Sequence, residues 1–179
     1  MLSELEVLAI ATERLETMQI AYMLTGSYAM ACYATPRMTR DLDLVVALVE
    51  SDCGQIAEVF CTDFYVDEDD VRSAVQTQRM FNLMHLASGI KLDFIVRKSS
   101  EYRQIEFSRR QQTTIGAVSF WIVSREDLIL SKLVWSQDSG SELQRRDARS
   151  LLDASVDRSY LDKWAADLGV AHLLQEITQ

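Results

Sequence analysis

A mixed α/β sheet domain running to about residue 123, followed by a tail made only of helices, is the fold class that the sequence predicts. Three observations predict it. Short strand-like runs alternate with helical stretches as far as Val123, and from Ser124 onward only helical periodicity is found. No Pro/Gly/Ser-rich linker or repeat interrupts the 179 residues, of which 48% are hydrophobic and only one is proline. The expected organisation is an α/β domain over 1–123 with a helical subdomain, 124–179, packed on it.

Each element has a local reason. Ser3 and Glu6 form a capping box, and Leu5, Leu8, Leu15 and Met18 then recur at helical spacing, which predicts a helix over 3–18. Ala21 to Thr25 is a short apolar run ending at Gly26-Ser27, a buried strand. Tyr28 to Tyr33 reads as a short helix, stopped by the turn at Thr35-Pro36. Asp41 to Val46 is a strand by its alternation and its valines. Ser51 to Cys61 reads as helical, Phe64 to Val66 as a brief strand and Asp67 to Thr77 as a helix. Arg79 to Ala87, turning at Ser88-Gly89 into Ile90 to Val96, is a hairpin. Thr113 to Val123 supplies one or two further strands. Ser124 with Asp127, and Ser141 with Gln144, resemble capping boxes that open helices. Tyr160, Trp164 and Leu168 mark a last apolar stripe, with Gly169 as its C-terminal cap.

The sharpest chemical feature is Asp41 with Asp43. Side chains two apart in a strand share a face, so both carboxylates point one way while Leu42, Leu44 and Val46 point into the core. Neighbouring carboxylates repel unless a cation lies between them, and hard divalent ions take oxygen ligands. The pair therefore reads as a magnesium site, the alternative being an exposed strand face that carries two acids. In Lys91-Leu92-Asp93-Phe94-Ile95-Val96 the same alternation isolates Asp93 on a polar face. If the strands are neighbours, three carboxylates converge, an arrangement able to hold two metal ions.

Gly26-Ser27 ends a strand and opens a helix, where glycine permits close approach of a ligand and a helix start favours phosphate. Arg37, Thr39 and Arg40 precede the Asp pair, where a guanidinium either contacts phosphate oxygens or neutralises the acidic face. Lys132 lies in an apolar helical stretch and shares a face with Leu128 and Trp135, so it needs a partner: a phosphate or a site carboxylate. His85 and His172 lack a companion at ligand spacing and read as structural. Tyr28, Tyr33, Trp121 and Trp135 are candidates for core or pocket wall.

Bulk properties exclude several classes. A formal charge of −9 argues against a general nucleic-acid coat protein, since phosphate binding runs on Lys and Arg. Five basic residues between Arg97 and Arg110 form a local positive stretch, read first as a solvated surface segment and second as a guide for an anionic substrate. Cys32, Cys53 and Cys61 are odd in number and lack metal-ligand spacing, which predicts reduced thiols. Acids at the start of the chain, and no apolar run of about 18 residues, predict a cytoplasmic protein without a membrane span.

Taken together, Thr25-Gly26-Ser27-Tyr28-Ala29 and Arg37-Met38-Thr39-Arg40-Asp41-Leu42-Asp43-Leu44-Val45-Val46 resemble the first two motifs of the nucleotidyltransferase superfamily. The likeness is to its AbiEii-like and minimal nucleotidyltransferase-like small bacterial members. Ser124-Arg125-Glu126-Asp127-Leu128 with Lys132 is similar to that family's third motif, and Arg145-Arg146-Asp147 to its fourth. Tyr160 to Val170 looks like the tail of small bacterial members. The second glycine of the first motif is here Ser27, and the fourth motif is compressed.

The resemblance implies a nucleotidyltransferase-type sheet flanked by helices and transfer of a nucleoside monophosphate from an NTP, ATP included, to a hydroxyl with release of pyrophosphate. It implies Asp41, Asp43 and Asp93 as catalytic and metal-binding residues, with Asp93 as third ligand or base. Gly26, Ser27, Arg37, Thr39 and Lys132 would bind the nucleotide. Mg2+ is the implied cofactor, as one or two ions, with Mn2+ as a substitute. The acceptor would be an RNA end, a protein or a small molecule, and the chain a homodimer or half of a toxin–antitoxin or defence pair. The alternatives are an inert nucleotide-binding or protein-interaction module of the same fold, and a subunit that dimerises through partly exposed Trp164 and Leu168 of its tail.

Overall fold

The computed structural model of the chain describes residues 2–34, 39 and 41–179. A seven-stranded mixed sheet organises the described residues, with its strands in the order β3-β4-β5-β2-β1-β7-β6. The strands are β1 (Tyr22–Thr25), β2 (Asp41–Val46), β3 (Phe64–Tyr65), β4 (Met80–His85), β5 (Lys91–Val96), β6 (Gln111–Ile115) and β7 (Val118–Ile122). The helices are α1 (Glu4–Thr17), α2 (Gly26–Met30), α3 (Cys53–Phe60), α4 (Glu68–Thr77), α5 (Glu101–Ser108), α6 (Arg125–Ser139), α7 (Glu142–Ser150), α8 (Arg158–Asp167) and α9 (Ala171–Thr178). β2 runs parallel to β5 and antiparallel to β1, and β1 is parallel to β7.

Local chemistry sets the ends of these elements as expected. Ser3 and Glu6 close the capping box on α1, and Ser124 Oγ accepts from the Asp127 amide at the start of α6. Asp67 caps α4 by accepting from the amides of Asp69 and Asp70. The Ser88-Gly89 turn joins β4 to β5, with Gly89 at positive φ.

Alternation along the strands divides the sheet into two faces. Leu42, Leu44, Val46, Phe81, Leu83, Leu92, Phe94 and Val96 are buried on one. There Phe60 of α3 meets the rings of Phe64 and Phe94 edge-on, which seats α3 on the sheet. The other face carries Asp41, Asp43, Lys91 and Asp93.

Five sequence expectations need correction. Ser141 and Gln144 form no capping box: Ser141 is the N-cap of α7 without a side-chain cap hydrogen bond, and the Gln144 side chain accepts from Lys132 instead. The stretch from Arg97 to Arg110 is not a solvated segment: it contains α5, and Arg103 and Arg109 point inward. Arg103 donates to Glu106 at 2.8 Å and to Ser131 of α6 at 2.8 Å, and Arg109 donates to Asp127 at 3.1 Å. Charge along the chain does not reveal this, because Arg103 closes on Glu106 one turn along α5 while the acids that meet Arg109, Glu126 and Asp127, stand 17 and 18 positions away on the facing helix α6. Trp164 is buried at 5% exposure against Tyr102, so it is not available to an outside partner. The short helix after β1 starts at Gly26 rather than at Tyr28. The tail holds an additional helix, α9, which packs on α7 and α8. The expected turn at Thr35-Pro36 lies outside the described residues. Among the described residues no helix is long and apolar enough to cross a membrane.

Candidate active site

The register of β2 against its two neighbours builds the site. Asp43 stands opposite Thr25 of β1 on one side and opposite Asp93 of β5 on the other, while Asp41 stands opposite Lys91. Directly opposed residues point to the same face, so Asp43 and Asp93 are side by side. Asp93 is 7% exposed and Asp41 is exposed at the strand's start. Among the described residues no group of three His, Cys, Asp or Glu side chains is drawn together as a ready-made metal cage. The expected third carboxylate, Asp93, stands directly beside Asp43, whereas Asp41 of the expected pair shares the face one register row away.

Gly26 shows how tightly the site is assembled. A Cβ on this residue would lie 1.9 Å from Asp43 Oδ2 and 2.7 Å from its Cγ, and the backbone here has φ +67°. Both features demand glycine: one because no side chain fits, the other because L-residues rarely adopt that conformation. The sequence signal at Gly26-Ser27 was read as room for a ligand. In the structure the nearest occupant of that room is the Asp43 carboxylate itself.

Burial, then the neighbouring Asp93 and Asp41, push the Asp43 carboxyl up to about 6, against the opposing pull of Lys132 and Lys91. Lys91 supplies the local counter-charge. Its Nζ donates to Asp93 Oδ2 at 3.0 Å and stands 2.9 Å from Oδ1 without hydrogen-bonding alignment, so Oδ1 is buried with no hydrogen bond. Hydrogen bonding to Asp93 in turn holds the Lys91 ammonium above its ordinary value. Lys91 carries no signal of its own in the sequence, although the alternation that isolates Asp93 places it on the same face.

Asp43 lines a cavity of about 280 Å³ between the β2–β5 strands and α6. Val45 and Ile95 extend its apolar floor, and Arg97, Lys98, Arg103 and Lys132 contribute positive charge. Leu128, Lys132 and Trp135 line it together, as their common helix face predicts, and Trp135 is 53% exposed. Lys132 is 2% exposed and donates to Asp147 at 2.8 Å and to Gln144 at 3.1 Å, both on α7. The carboxylate partner expected for it therefore comes from the Arg145-Arg146-Asp147 motif, brought in by the α6–α7 packing. Removing one member of a buried pair strands the other's charge. Asp147→Ala is expected to lower unfolding free energy by about 3 kcal/mol, read by urea denaturation.

The remaining expectations fall as follows. Ser27 is buried beside Gly26. The Thr39 hydroxyl accepts from the Asp41 amide at 3.4 Å and so steadies the strand's start. Arg37 and Arg40 lie outside the described residues. His85 is buried, bonded through Nδ1 to Ser88 Oγ at 2.8 Å and packed on Phe64, a structural role. Asp127 lies away from the carboxylates, bonded to Ser124, Tyr102, Tyr160 and Arg109 where α5, α6 and α8 meet. Tyr33 donates to the Val123 carbonyl at 2.7 Å.

No protein-family model matches the chain, and no curated protein does. Solved structures do. The chain is similar to an antigenic nucleotidyltransferase-like protein from Paracoccidioides brasiliensis at 18% identity, over 94% of this chain and 91% of that one, with a TM-score of 0.55. It is similar to the antibiotic-resistance factor ANT(2'')-Ia at 11% identity, over 97% and 95% of the two chains, with a TM-score of 0.63. It is also similar to the lincosamide antibiotic adenylyltransferase LnuA at 16% identity, over 84% and 96%, with a TM-score of 0.52. Identities this low speak for the backbone and not for substrates. The chain has the nucleotidyltransferase fold.

Proposed function

We propose that the chain is a nucleotidyltransferase that moves a nucleoside monophosphate from an NTP to a hydroxyl acceptor and releases pyrophosphate. The observation that carries this reading is the register pair of Asp43 and Asp93 at the edge of a cavity bearing Lys132, Arg97, Lys98 and Arg103. Carboxylates and cations at one cavity suit a substrate that carries a polyphosphate and a counter-ion.

The carboxylates fit magnesium. Asp93 Oδ1 is a buried acceptor without a hydrogen bond, and Asp43 is held against a like charge. A divalent cation relieves both. Magnesium is commonly held by one or two carboxylates together with substrate phosphates, so a preformed cage of three is not required. Asp43 and Asp93 would hold the ion, with Asp41 at the outer margin. When bound, it would neutralise charge on the phosphates and brace the leaving pyrophosphate.

The chain's own residues do the rest. Gly26 lets the backbone close onto Asp43, and Gly26 and Ser27 border the triphosphate. Lys132, backed by Asp147, sets a positive charge beneath the cavity. Trp135 offers a ring face on which a base stacks. Asp93 takes the acceptor's proton. The narrower placement among AbiEii-like proteins, and a toxin–antitoxin pairing, rest on the motifs alone.

Incubation with α-labelled NTPs and magnesium, in the presence of lysate RNA, protein and small molecules, tests the activity. Label is expected to move with the native protein and not with Asp43→Asn. A native protein that binds no NTP in millimolar magnesium would sink the proposal.

A further inference from the structure

Four exposed large apolar side chains gather at one end of the sheet: Tyr65 on β3, Met80 and Met84 on β4, and Leu86 in the turn after β4. Register explains where three of them point. Tyr65 is opposite Met84, Met84 opposite Lys91, Asn82 opposite Asp93 and Met80 opposite Ile95. Tyr65, Met80, Asn82 and Met84 therefore share the face of the carboxylates. The reverse of the same strands is already packed with Phe64, Phe81 and Leu83. Folding gives no reason for an aromatic ring and two thioethers to face water beside a set of charges, and a gathered apolar patch of this kind marks a binding surface.

Tyr65, Met80, Asn82 and Met84 line a cavity of about 440 Å³ between β4 and α4, with Asp70, Arg79 and Lys91 also on its wall. That volume lies in the range of small-ligand sites, about 300–1,000 Å³. Lys91 is the ion-pair partner of Asp93, so the cavity reaches the counter-charge of the site. The cavity assigned above to the nucleotide reaches Asp43 from the opposite side, against α6. One cavity is lined by Asp43 and the other by Lys91, the ion-pair partner of Asp93, and by Asn82, its register neighbour, so the two flank the carboxylate pair, as a transfer between two molecules requires.

Both cavities mix signs, but the cations are more numerous in the first. The nucleotide cavity carries Arg97, Lys98, Arg103 and Lys132 beside Asp43, Glu106 and Asp138, with Arg103 paired to Glu106 and Lys132 to Asp147. The second carries Arg79, Asp70 and a Lys91 already paired with Asp93, and Glu68 and Asp69 stand in the same first turn of α4. A polyphosphate chain finds little to hold it there, whereas an apolar ring finds methionine sulfur and a tyrosine face.

We infer that this second cavity is the acceptor subsite, and that its occupant is a small hydroxylated molecule with an apolar ring face and no phosphate. The inference rests on the nucleotidyltransferase reading of the site. The ring lies on Met80, Met84 and Tyr65, and the Asn82 amide steers the hydroxyl toward Asp93. The acceptor oxygen forms a bond to the α-phosphorus. The bond from that phosphorus to the bridging oxygen breaks, pyrophosphate leaves with the electron pair, and the hydroxyl proton passes to the Asp93 carboxylate.

The test uses full-length protein labelled with 13C at its methionine methyl groups, with the Met80 and Met84 signals assigned through Met80→Leu and Met84→Leu. The probes are 2-(2-naphthyl)ethanol and a hexaribonucleotide with a free 3′-hydroxyl. The naphthyl alcohol is expected to shift the Met80 and Met84 signals saturably, and the RNA to shift neither. Met84→Glu, an exposed substitution, is expected to weaken alcohol binding at least tenfold while the Trp135 fluorescence response to magnesium–ATP is retained. The inference is overturned if the alcohol moves neither signal or the RNA moves both. It is equally overturned if the two signals change with protein concentration because a second copy covers them. A native protein whose Trp135 fluorescence ignores magnesium–ATP, while the methionine shifts persist, would remove the nucleotidyltransferase reading and the acceptor role with it, leaving a small-molecule pocket.

Discussion

Gly26→Ala is expected to cost about 3–5 kcal/mol of stability and to reduce nucleotide transfer at least a hundredfold. The added methyl meets Asp43 Oδ2 at 1.9 Å and Cγ at 2.7 Å, and although a rotamer change moves those two atoms, Asp43 Cβ at 3.0 Å moves only with the strand. Either β1 and β2 separate at Thr25–Asp43 or Asp43 abandons its rotamer, and each outcome displaces the carboxylate from Asp93. The two causes of the effect are separable. In an Asp43→Gly background the clash is gone, and Gly26→Ala should then cost only the left-handed backbone penalty of about 1–2 kcal/mol. Urea denaturation of the four proteins of this cycle measures the coupling, and additive costs would show that Asp43 does not press on Gly26.

Asp43→Asn is expected to abolish activity and yet to stabilise the protein near neutral pH. The loss of a charge that holds the substrate's counter-ion should slow transfer by about 10³. The gain follows from the raised carboxyl. Asp43 titrates near 6 in the folded chain against an ordinary value of 3.8. Between those values the folded state binds more protons than the unfolded one, so this group's contribution falls as pH rises from about 4 to about 6. Asparagine cannot ionise and removes that decline. The shift bounds the gain at about 3 kcal/mol above pH 6, vanishing below about pH 4, which thermal melts across pH 4–8 will show as converging curves. Magnesium with NTP should raise the melting temperature of the native chain and leave that of Asp43→Asn nearly unchanged. A destabilised Asp43→Asn at pH 7 would mean that the carboxylate is a net structural asset and not a charge stored for a ligand.

Much of the candidate site's layout on the sheet was legible because strand alternation is a local rule. Asp41, Asp43 and Asp93 were assigned to a polar face from their immediate neighbours, and Leu42, Leu44, Leu92 and Phe94 to the core by the same step. Lys132 was singled out because a cation in an apolar helix needs a partner, and it has one. Its identity was not legible. Asp147 stands fifteen residues on, and only the antiparallel return of α7 against α6 brings it to the ammonium. The inward turn of Arg103 and Arg109 was hidden for the same reason, since Ser131 and Asp127 reach them from a different helix.

By itself the sequence determined the elements whose cause lies within a few residues: the Ser3–Glu6 capping box and the Ser124 cap, the glycine turns, the two-residue spacing of the acids and the division of each strand into an apolar and a polar side. Those depend on dihedral preferences and on periodicity, which the chain carries locally. Tertiary structure alone decided that β2 and β5 are neighbours in a register that sets Asp43 against Asp93, that Gly26 lies under the Asp43 carboxylate, and that one cavity opens on Asp43 while another is lined by the Lys91 partner of Asp93. Strand order and register come from packing the whole apolar face at once, a sum over contacts distant in sequence, and no window of the chain contains it.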